Sequence, residues 1–264
     1  MEDSKIFPAL FLGHGSPLNA FEKENKYFRT LQRFVKTNII PDSIVILSAH
    51  WETNGIMEIT GKDDLNLELT EETDNQNLNL LIKSVKGNPT LARSISYTLK
   101  KKGITTKLNN DKGIDQGAWI PIHLMYPEMN IPIVQLSLLT DKKPKDLYKL
   151  GIMLRAFRKE NILFIGSGNV VHNSKIRHHD KDAQISGWAI DFDTWLEENM
   201  FGDIDDLFDY KNTAPNSNYA VPTPEHFNPI FFVLGLRYEF EKIKTIYEGF
   251  EYSTTSMRSF QISI

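Results

Sequence analysis

Short apolar runs alternate along this chain with longer amphipathic stretches, and that alternation limits the possible architectures more than any single motif does. Ala9-Leu-Phe-Leu12, Ser43-Ile-Val-Ile-Leu47, Ile131-Pro-Ile-Val-Gln-Leu136 and Asn161-Ile-Leu-Phe-Ile165 have the length and side chains of buried strands. Between the first two, Tyr27, Phe28, Leu31, Phe34 and Val35 recur at helical spacing and form one apolar face. Asn88-Pro89 opens another helix, because asparagine suits the N-cap and proline the first helical position; Leu91, Ile95 and Leu99 point inward and Gly103 ends it. A helix is predicted over residues 144–159, with Leu147, Leu150, Leu154 and Phe157 on one face, and others over 182–199 and 226–236. Residues 247–264 read as strand again. Strands alternating with helices predict the α/β class. No linker, composition shift or repeat divides the chain, so one domain over residues 1–264 is expected. The polar, acidic stretch 61–87 reads as a surface excursion over the active site.

Composition narrows the chemistry. The chain has no cysteine, which excludes disulfides, thiolate catalysis and cysteine-held metals. A net charge of −4 offers no electrostatic footprint for nucleic acid or an anionic membrane. Apolar runs such as residues 230–236 are far too short to span a bilayer, and the N-terminus lacks the basic stretch and apolar core of a secretory signal. A cytoplasmic enzyme without nucleic-acid or membrane partners is therefore expected. Any transition metal must be held by imidazole or carboxylate, which directs attention to the seven histidines.

Three of them follow strands: His14 in Leu12-Gly-His-Gly-Ser-Pro17, His50 in Leu47-Ser-Ala-His-Trp-Glu52, and His172 in Gly166-Ser-Gly-Asn-Val-Val-His-Asn173. Ligands in open α/β sheets bind outside the carboxyl ends of the strands, so parallel strands would deliver all three imidazoles to one crevice. His226, in Pro222-Thr-Pro-Glu-His-Phe-Asn-Pro229, sits on a proline-bracketed turn that would hold a ligand rigidly. Each of these residues alone reads equally as a hydrogen-bonded structural histidine; repetition at equivalent topological positions is what raises a metal site. His178 and His179 lie in a solvated charge-rich run, and His123 in a packed segment. Gly166-Ser-Gly168 lacks the third glycine of a dinucleotide loop, and Gly13-His-Gly-Ser-Pro17 does not fit a nucleophile elbow, which leaves Ser16 a turn or supporting residue.

Taken together, Gly13-His-Gly-Ser-Pro17, Ser48-Ala-His-Trp51, Val134-Gln-Leu-Ser137, Gly166-Ser-Gly-Asn-Val-Val-His-Asn173, Pro222-Thr-Pro-Glu-His226 and Ser256-Met-Arg-Ser-Phe260 resemble, in type and order, the DOPA-type extradiol ring-cleavage dioxygenases of the LigB-like superfamily. The resemblance spans nearly the whole chain. It implies a single α/β domain around a mostly parallel central sheet flanked by helices. It also implies one divalent metal, Fe(II) or Zn(II), on His14, His50 and His226, with His172 as acid–base residue or additional ligand. The implied partners are a small aromatic substrate and O2; oligomeric state is not implied. Where the family reads Asp-His-Gly, this chain reads Asp115-Gln-Gly117, so Gln116 takes a catalytic position with an amide that cannot titrate. Ser16 and Asp115 are expected on the substrate side, with Asp115 orienting a neighbour and Glu225 supporting an imidazole. Where members carry an aromatic, glycine-rich wall, this chain has Asp64-Leu-Asn-Leu-Glu-Leu-Thr-Glu-Glu72.

The reaction so implied is extradiol opening of a catechol-type ring with O2. Three neutral imidazoles also describe a catalytic zinc set, which makes a zinc-dependent hydrolase on the same scaffold one alternative. A catalytically silent metal or small-molecule binder is the other, suggested by Gln116 and the altered wall.

Overall fold

Helices cover both faces of the sheet that these apolar runs build. A computed structural model describes residues 6–17, 22, 24–36, 40–68, 84–202 and 204–264. In chain order its elements are β1 (Ala9–Gly13), α1 (Lys26–Lys36), β2 (Ser43–Thr53), β3 (Met57–Thr60), β4 (Asp64–Asn66), β5 (Ser84–Lys86), α2 (Pro89–Lys101), β6 (Thr106–Asn109), α3 (Gln116–Met125), β7 (Ile133–Leu139) and α4 (Pro144–Leu154). They continue with β8 (Ile162–Gly168), α5 (Gly187–Asn199), α6 (Ile204–Phe208), α7 (Tyr210–Thr213), α8 (Ser217–Ala220), α9 (Pro229–Gly235), β9 (Lys242–Tyr247), β10 (Phe250–Glu251), β11 (Thr255–Ser256) and β12 (Ser259–Ser263).

The central sheet runs β6-β3-β7-β2-β8-β1-β12-β9. Its middle four strands, β7, β2, β8 and β1, are mutually parallel. β3 and β6 form a parallel pair set antiparallel to β7, and β12 and β9 close the other side in antiparallel register. The fold is thus one α/β domain on a mostly parallel sheet, as the resemblance implies. Every residue of β1, β7 and β8 is buried, the mark of strands covered on both faces. Successive side chains leave a strand on opposite faces. Phe11, Val45 and Phe164 therefore pack with Leu150, Phe231 and Phe232 of α4 and α9, while Leu10, Ile46 and Ile165 pack with Leu31 and Trp119 of α1 and α3. Each fully buried Leu, Ile or Phe contributes about 1.5–3 kcal/mol relative to exposure.

Element ends follow local chemistry. The Asn88 side chain accepts the Leu91 amide at 3.0 Å, Pro89 opens α2, and the chain turns at Gly103, where φ is 86°. Several boundaries differ from those the sequence predicts, and the tail read as strand over 247–264 is broken into the short strands β10, β11 and β12. The helix over 144–159 narrows to a 3₁₀ turn at Arg155–Glu160, where the Arg158 guanidinium is drawn inward to Glu241 and the carbonyls of Phe7 and Leu236. The last helix starts at Pro229 rather than 226, because the amides of Phe227 and Asn228 bond to the Pro224 carbonyl in a preceding turn. α5 starts at Gly187, five residues into the predicted stretch 182–199. β2 runs on to Thr53, past the apolar run that marks it, so His50 lies within the strand. Within the stretch 61–87, β4 pairs antiparallel with β5 and buries Leu65 and Val85; residues 69–83, and with them the end of the Asp64–Glu72 wall, lie outside the described residues. No helix among the described residues is long and apolar enough to cross a membrane.

Candidate metal centre

Because β1, β2 and β8 are parallel, their carboxyl ends share one edge of the sheet. Gly13 pairs with Gly168, and Ser48 pairs with Ser167. That register brings the segment after β1, the far half of β2 and the loop after β8 to the same place. The register of β2 against β7 shifts between Leu47 and Glu52, which carries His50 out of the ladder and over the strand ends. His226 arrives from the turn before α9, whose carbonyl accepts the Asn169 amide at 2.9 Å. Only glycine permits this approach, since a Cβ on residue 168 would stand 2.0 Å from the His226 carbonyl oxygen.

The result is a triangle of imidazoles. Ring centroids of His14, His50 and His226 lie 4.8, 5.1 and 5.2 Å apart, and one ring nitrogen from each falls within 4.8 Å of the others. The Nε2 atoms of His14 and His50 face each other at 3.1 Å. Nitrogen ligands bonded at 2.0–2.1 Å to a tetrahedral ion stand roughly 3.3 Å apart, so the pair is spaced as co-ligands are.

Hydrogen bonding presents the lone pairs. The Ser167 hydroxyl donates to the Gly117 carbonyl, so at His14 Nδ1, 3.2 Å away, it must accept. The proton then sits on Nδ1 and the His14 Nε2 lone pair is free. His226 Nδ1 donates to Glu225 Oε1 at 3.2 Å, an atom that also accepts the Thr223 hydroxyl at 2.8 Å. These are the outer partners that orient metal-binding imidazoles. Burial first, then the neighbouring histidines, hold the His14 pKa well below its ordinary value. Burial and His226 push His50 down to about 4 and His172 to about 3. At neutral pH these three rings are uncharged and able to ligate. Burial alone would raise Glu225, but its hydrogen bonds from His226 and Thr223 outweigh that and bring it to about 2. This donor set fits a single first-row divalent ion.

His172 stands beside the triangle. Its ring stacks on His226 at 3.7 Å with an interplanar angle of 13°, and its amide is tied to the Ala220 carbonyl. A second grouping of potential ligand atoms, His172, Glu225 and His226, shares His226 with the first. The four histidines, Ser16 and Gln116 line a cavity of about 200 Å³, together with Asn169, Ser174, Arg177, Tyr252 and Thr255.

Asp115, expected on the substrate side, is placed behind this cavity and is not among its lining residues. It caps α3 by accepting the Ala118 amide at 3.0 Å, accepts the Ser48 hydroxyl at 2.7 Å, and takes the Gln135 amide on its other oxygen. Ser48 in turn accepts the His50 amide at 3.1 Å. Asp115 therefore orients the His50 strand. Burial raises its pKa despite those hydrogen bonds. His178 and His179 are exposed, and His123 is half-buried on α3, outside the cavity lining. Sequence reasoning missed Ser167, Asn169, Arg177, Tyr252 and Thr255. Ser167 and Asn169 lie inside a motif already singled out, whereas Tyr252 and Thr255 sit in a tail with no local signal.

The chain is similar to known proteins over nearly its whole length. The family model described as the catalytic LigB subunit of aromatic ring-opening dioxygenase matches residues 8–261. A protein of Escherichia coli K12 named 4,5-DOPA dioxygenase extradiol is 35% identical over 267 residues, covering 98% of this chain and 96% of the relative. One of the same name from Mirabilis jalapa is 32% identical over 92% of this chain and 94% of the relative. The crystal structure of an uncharacterized protein from Escherichia coli K12 superposes with a TM-score of 0.83 at 34% identity, covering 97% of this chain and all of that one (100%).

Proposed function

Since the chain belongs to the LigB family of catalytic subunits of aromatic ring-opening dioxygenases, we propose that it opens a catechol-type ring with O2 by extradiol cleavage, using one divalent metal on His14, His50 and His226. The observation that carries this reading is the convergence of those three imidazoles on the wall of a cavity that also holds His172 and Gln116.

A divalent ion there, Fe(II) or Zn(II), would supply Lewis acidity toward the catechol oxygens and, as Fe(II), a path for electron density from ring to O2. The protein's own groups do the rest. His172 is neutral at pH 7 and takes the proton of a catechol hydroxyl on a ring nitrogen. Developing negative charge on the catechol oxygen opposite raises its affinity for that proton, and it returns the proton as an acid later in the cycle. Gln116 and Ser16 hydrogen-bond substrate oxygens without titrating. Glu225 and Ser167 fix the rings of His226 and His14, and Asp115 fixes the strand segment that carries His50.

Anaerobic loading with Fe(II) and Zn(II) separately, followed by oxygen uptake over a panel of catechols, tests this. Uptake with stoichiometric ring opening in the Fe(II) protein is expected. No uptake with any catechol would sink it. The donor set lacks a carboxylate, which favours one second reading, a zinc-dependent hydrolase; ester or amide cleavage by the Zn(II) protein alone would support that instead.

A further inference from the structure

A second cavity, of about 420 Å³, opens at the start of α4, against α6, α7 and the turn before α9. Among the described residues it shares no lining with the histidine cavity. Two polar side chains on its wall are buried and unbonded. Asn228 is 5% exposed, yet its side-chain amide has no hydrogen-bond partner among the described residues and does not cap α9, the helix it precedes. Tyr210 is 2% exposed, its ring packed on Phe227 at 4.7 Å and Phe231 at 6.2 Å, and its hydroxyl has no partner among them either. Burying an amide or hydroxyl without a hydrogen bond is costly, so two such groups on one wall point to a ligand that satisfies them.

The charge around them is positive. Among the lining residues Lys142, Lys143 and Lys211 stand against one carboxylate, that of Asp209, whose Oδ1 accepts the Asn212 amide at 2.7 Å. Lys142 is paired with Asp141 at 2.8 Å, but Lys143 and Lys211 are exposed and make no ion pair among the described residues. α4 adds the positive end of its dipole: Lys143 is its N-cap without a side-chain hydrogen bond, and Pro144 follows. The acidic residue of that first turn, Asp146, faces Lys149 at 3.6 Å. Lysines crowded at the positive end of a helix oppose its dipole, and an anion between them reverses that penalty. Burial, then the Glu225 carboxylate, pushes the Tyr210 hydroxyl up to about 12, so it keeps its proton and donates.

These donors stand on different walls: Lys143 at the head of α4, Tyr210 and Lys211 on α7, Asn228 before α9. A tetrahedral oxyanion presents oxygens in all those directions, whereas a carboxylate presents two in one plane. Phe208 lines the same cavity and offers apolar surface to whatever carries the anion.

We infer that this cavity binds a phosphate group, with Tyr210 and Asn228 donating to its oxygens from within and Lys143 and Lys211 closing over it from the rim. The phosphate belongs to a small monoester or is the free ion, and Phe208 favours the ester.

The test is calorimetric titration of the full chain, as isolated and after chelation, with inorganic phosphate, phenyl phosphate and benzoate. Both phosphates should bind alike before and after chelation, since the site needs no metal, and benzoate far more weakly. Contact of the phenyl ring with Phe208 should favour the ester by about 2- to 10-fold; equal affinities would uphold the site with the free ion as its occupant. Tyr210→Phe and the double variant Lys143→Gln, Lys211→Gln should each weaken phosphate by about tenfold or more. Without phosphate, Tyr210→Phe should melt no lower than the wild type, because the hydroxyl it loses has no partner, and added phosphate should raise its midpoint less. Binding that vanishes on chelation would put the anion on a metal, and benzoate as tight as phosphate would deny the tetrahedral fit. An affinity untouched by either variant would place the anion elsewhere. Each of these overturns the assignment, as does a Tyr210→Phe protein that melts lower without phosphate, whose hydroxyl must already have been bonded.

Discussion

A hydroxyl group decides which nitrogen of His14 carries the proton. Ser167 has one hydrogen to give and gives it to the Gly117 carbonyl, so toward His14 it can only accept. Ser167→Ala removes that acceptor while changing the side-chain volume little. The imidazole can then exchange tautomers, and metal affinity should fall by about 10- to 100-fold, as is typical for loss of an outer partner. Two hydrogen bonds are lost, one of them the donor to the buried Gly117 carbonyl, which should cost about 1–3 kcal/mol of stability. Competition with a chelator measures the first and thermal unfolding the second; unchanged affinity would count against the tautomer argument. The four imidazoles were legible in the sequence because each sits in a short motif beside a strand or a proline-bracketed turn. Ser167 was not, because its role depends on a contact with a carbonyl 50 residues away. Arg177 was hidden for a similar reason: it lies in a charge-rich run that reads as solvated, and only the turn at Tyr252 gives it a fixed place.

At the level of elements, the glycines after Phe164 show how a pattern can be visible while its cause is not. Gly166-Ser-Gly168 has the look of a nucleotide loop cut short. Its glycines are there because α9 and the turn before it lie directly on β8. A Cβ on residue 166 would meet the Pro229 carbonyl oxygen at 2.7 Å, and one on residue 168 the His226 carbonyl oxygen at 2.0 Å. Gly168→Ala should therefore force the His226 turn off the end of β8. Overpacking of this kind typically costs about 1–3 kcal/mol, and here it also removes a ligand, so melting temperature and bound metal should fall together. A variant that kept full metal content would show that the turn can move without the imidazole. The buried strands and the amphipathic helices were readable from periodicity because each buries a regular face. The short segments β3, β6 and α6 to α8 were not, since four or five residues carry too little pattern to separate strand from turn. β2 outran its apolar run because pairing with β8 continues to Ser48 and pairing with β7 resumes at Glu52.

For the molecule as a whole, the depressed histidines link stability to acidity. An unfolded histidine titrates near 6.5, whereas His50 and His172 titrate at about 4 and about 3 in the fold, and His14 is also well below the ordinary value. Between pH 6.5 and 5 the unfolded chain thus binds more protons, and stability rises with pH. The contribution is fully present above pH 6.5 and is lost as pH falls through the folded values. Thermal melts of the metal-free protein should show a lower midpoint at pH 5 than at pH 7. The dependence should be shallower in His50→Gln, and a flat profile in the wild type would contradict it. The three imidazoles that would hold the ion come from the segment after the first strand, the second strand and the turn before the last helix, so an unfolded chain would have no chelating cluster to offer. Ion binding therefore draws only on the folded population, and each tenfold rise in free ion above its dissociation constant adds about 1.4 kcal/mol to the unfolding free energy. Cellular metal supply would then act as a reserve against mutation. When the ion is plentiful, substitutions far from the cavity that weaken the sheet would be tolerated; when it is scarce, the same substitutions would leave part of the chain unfolded.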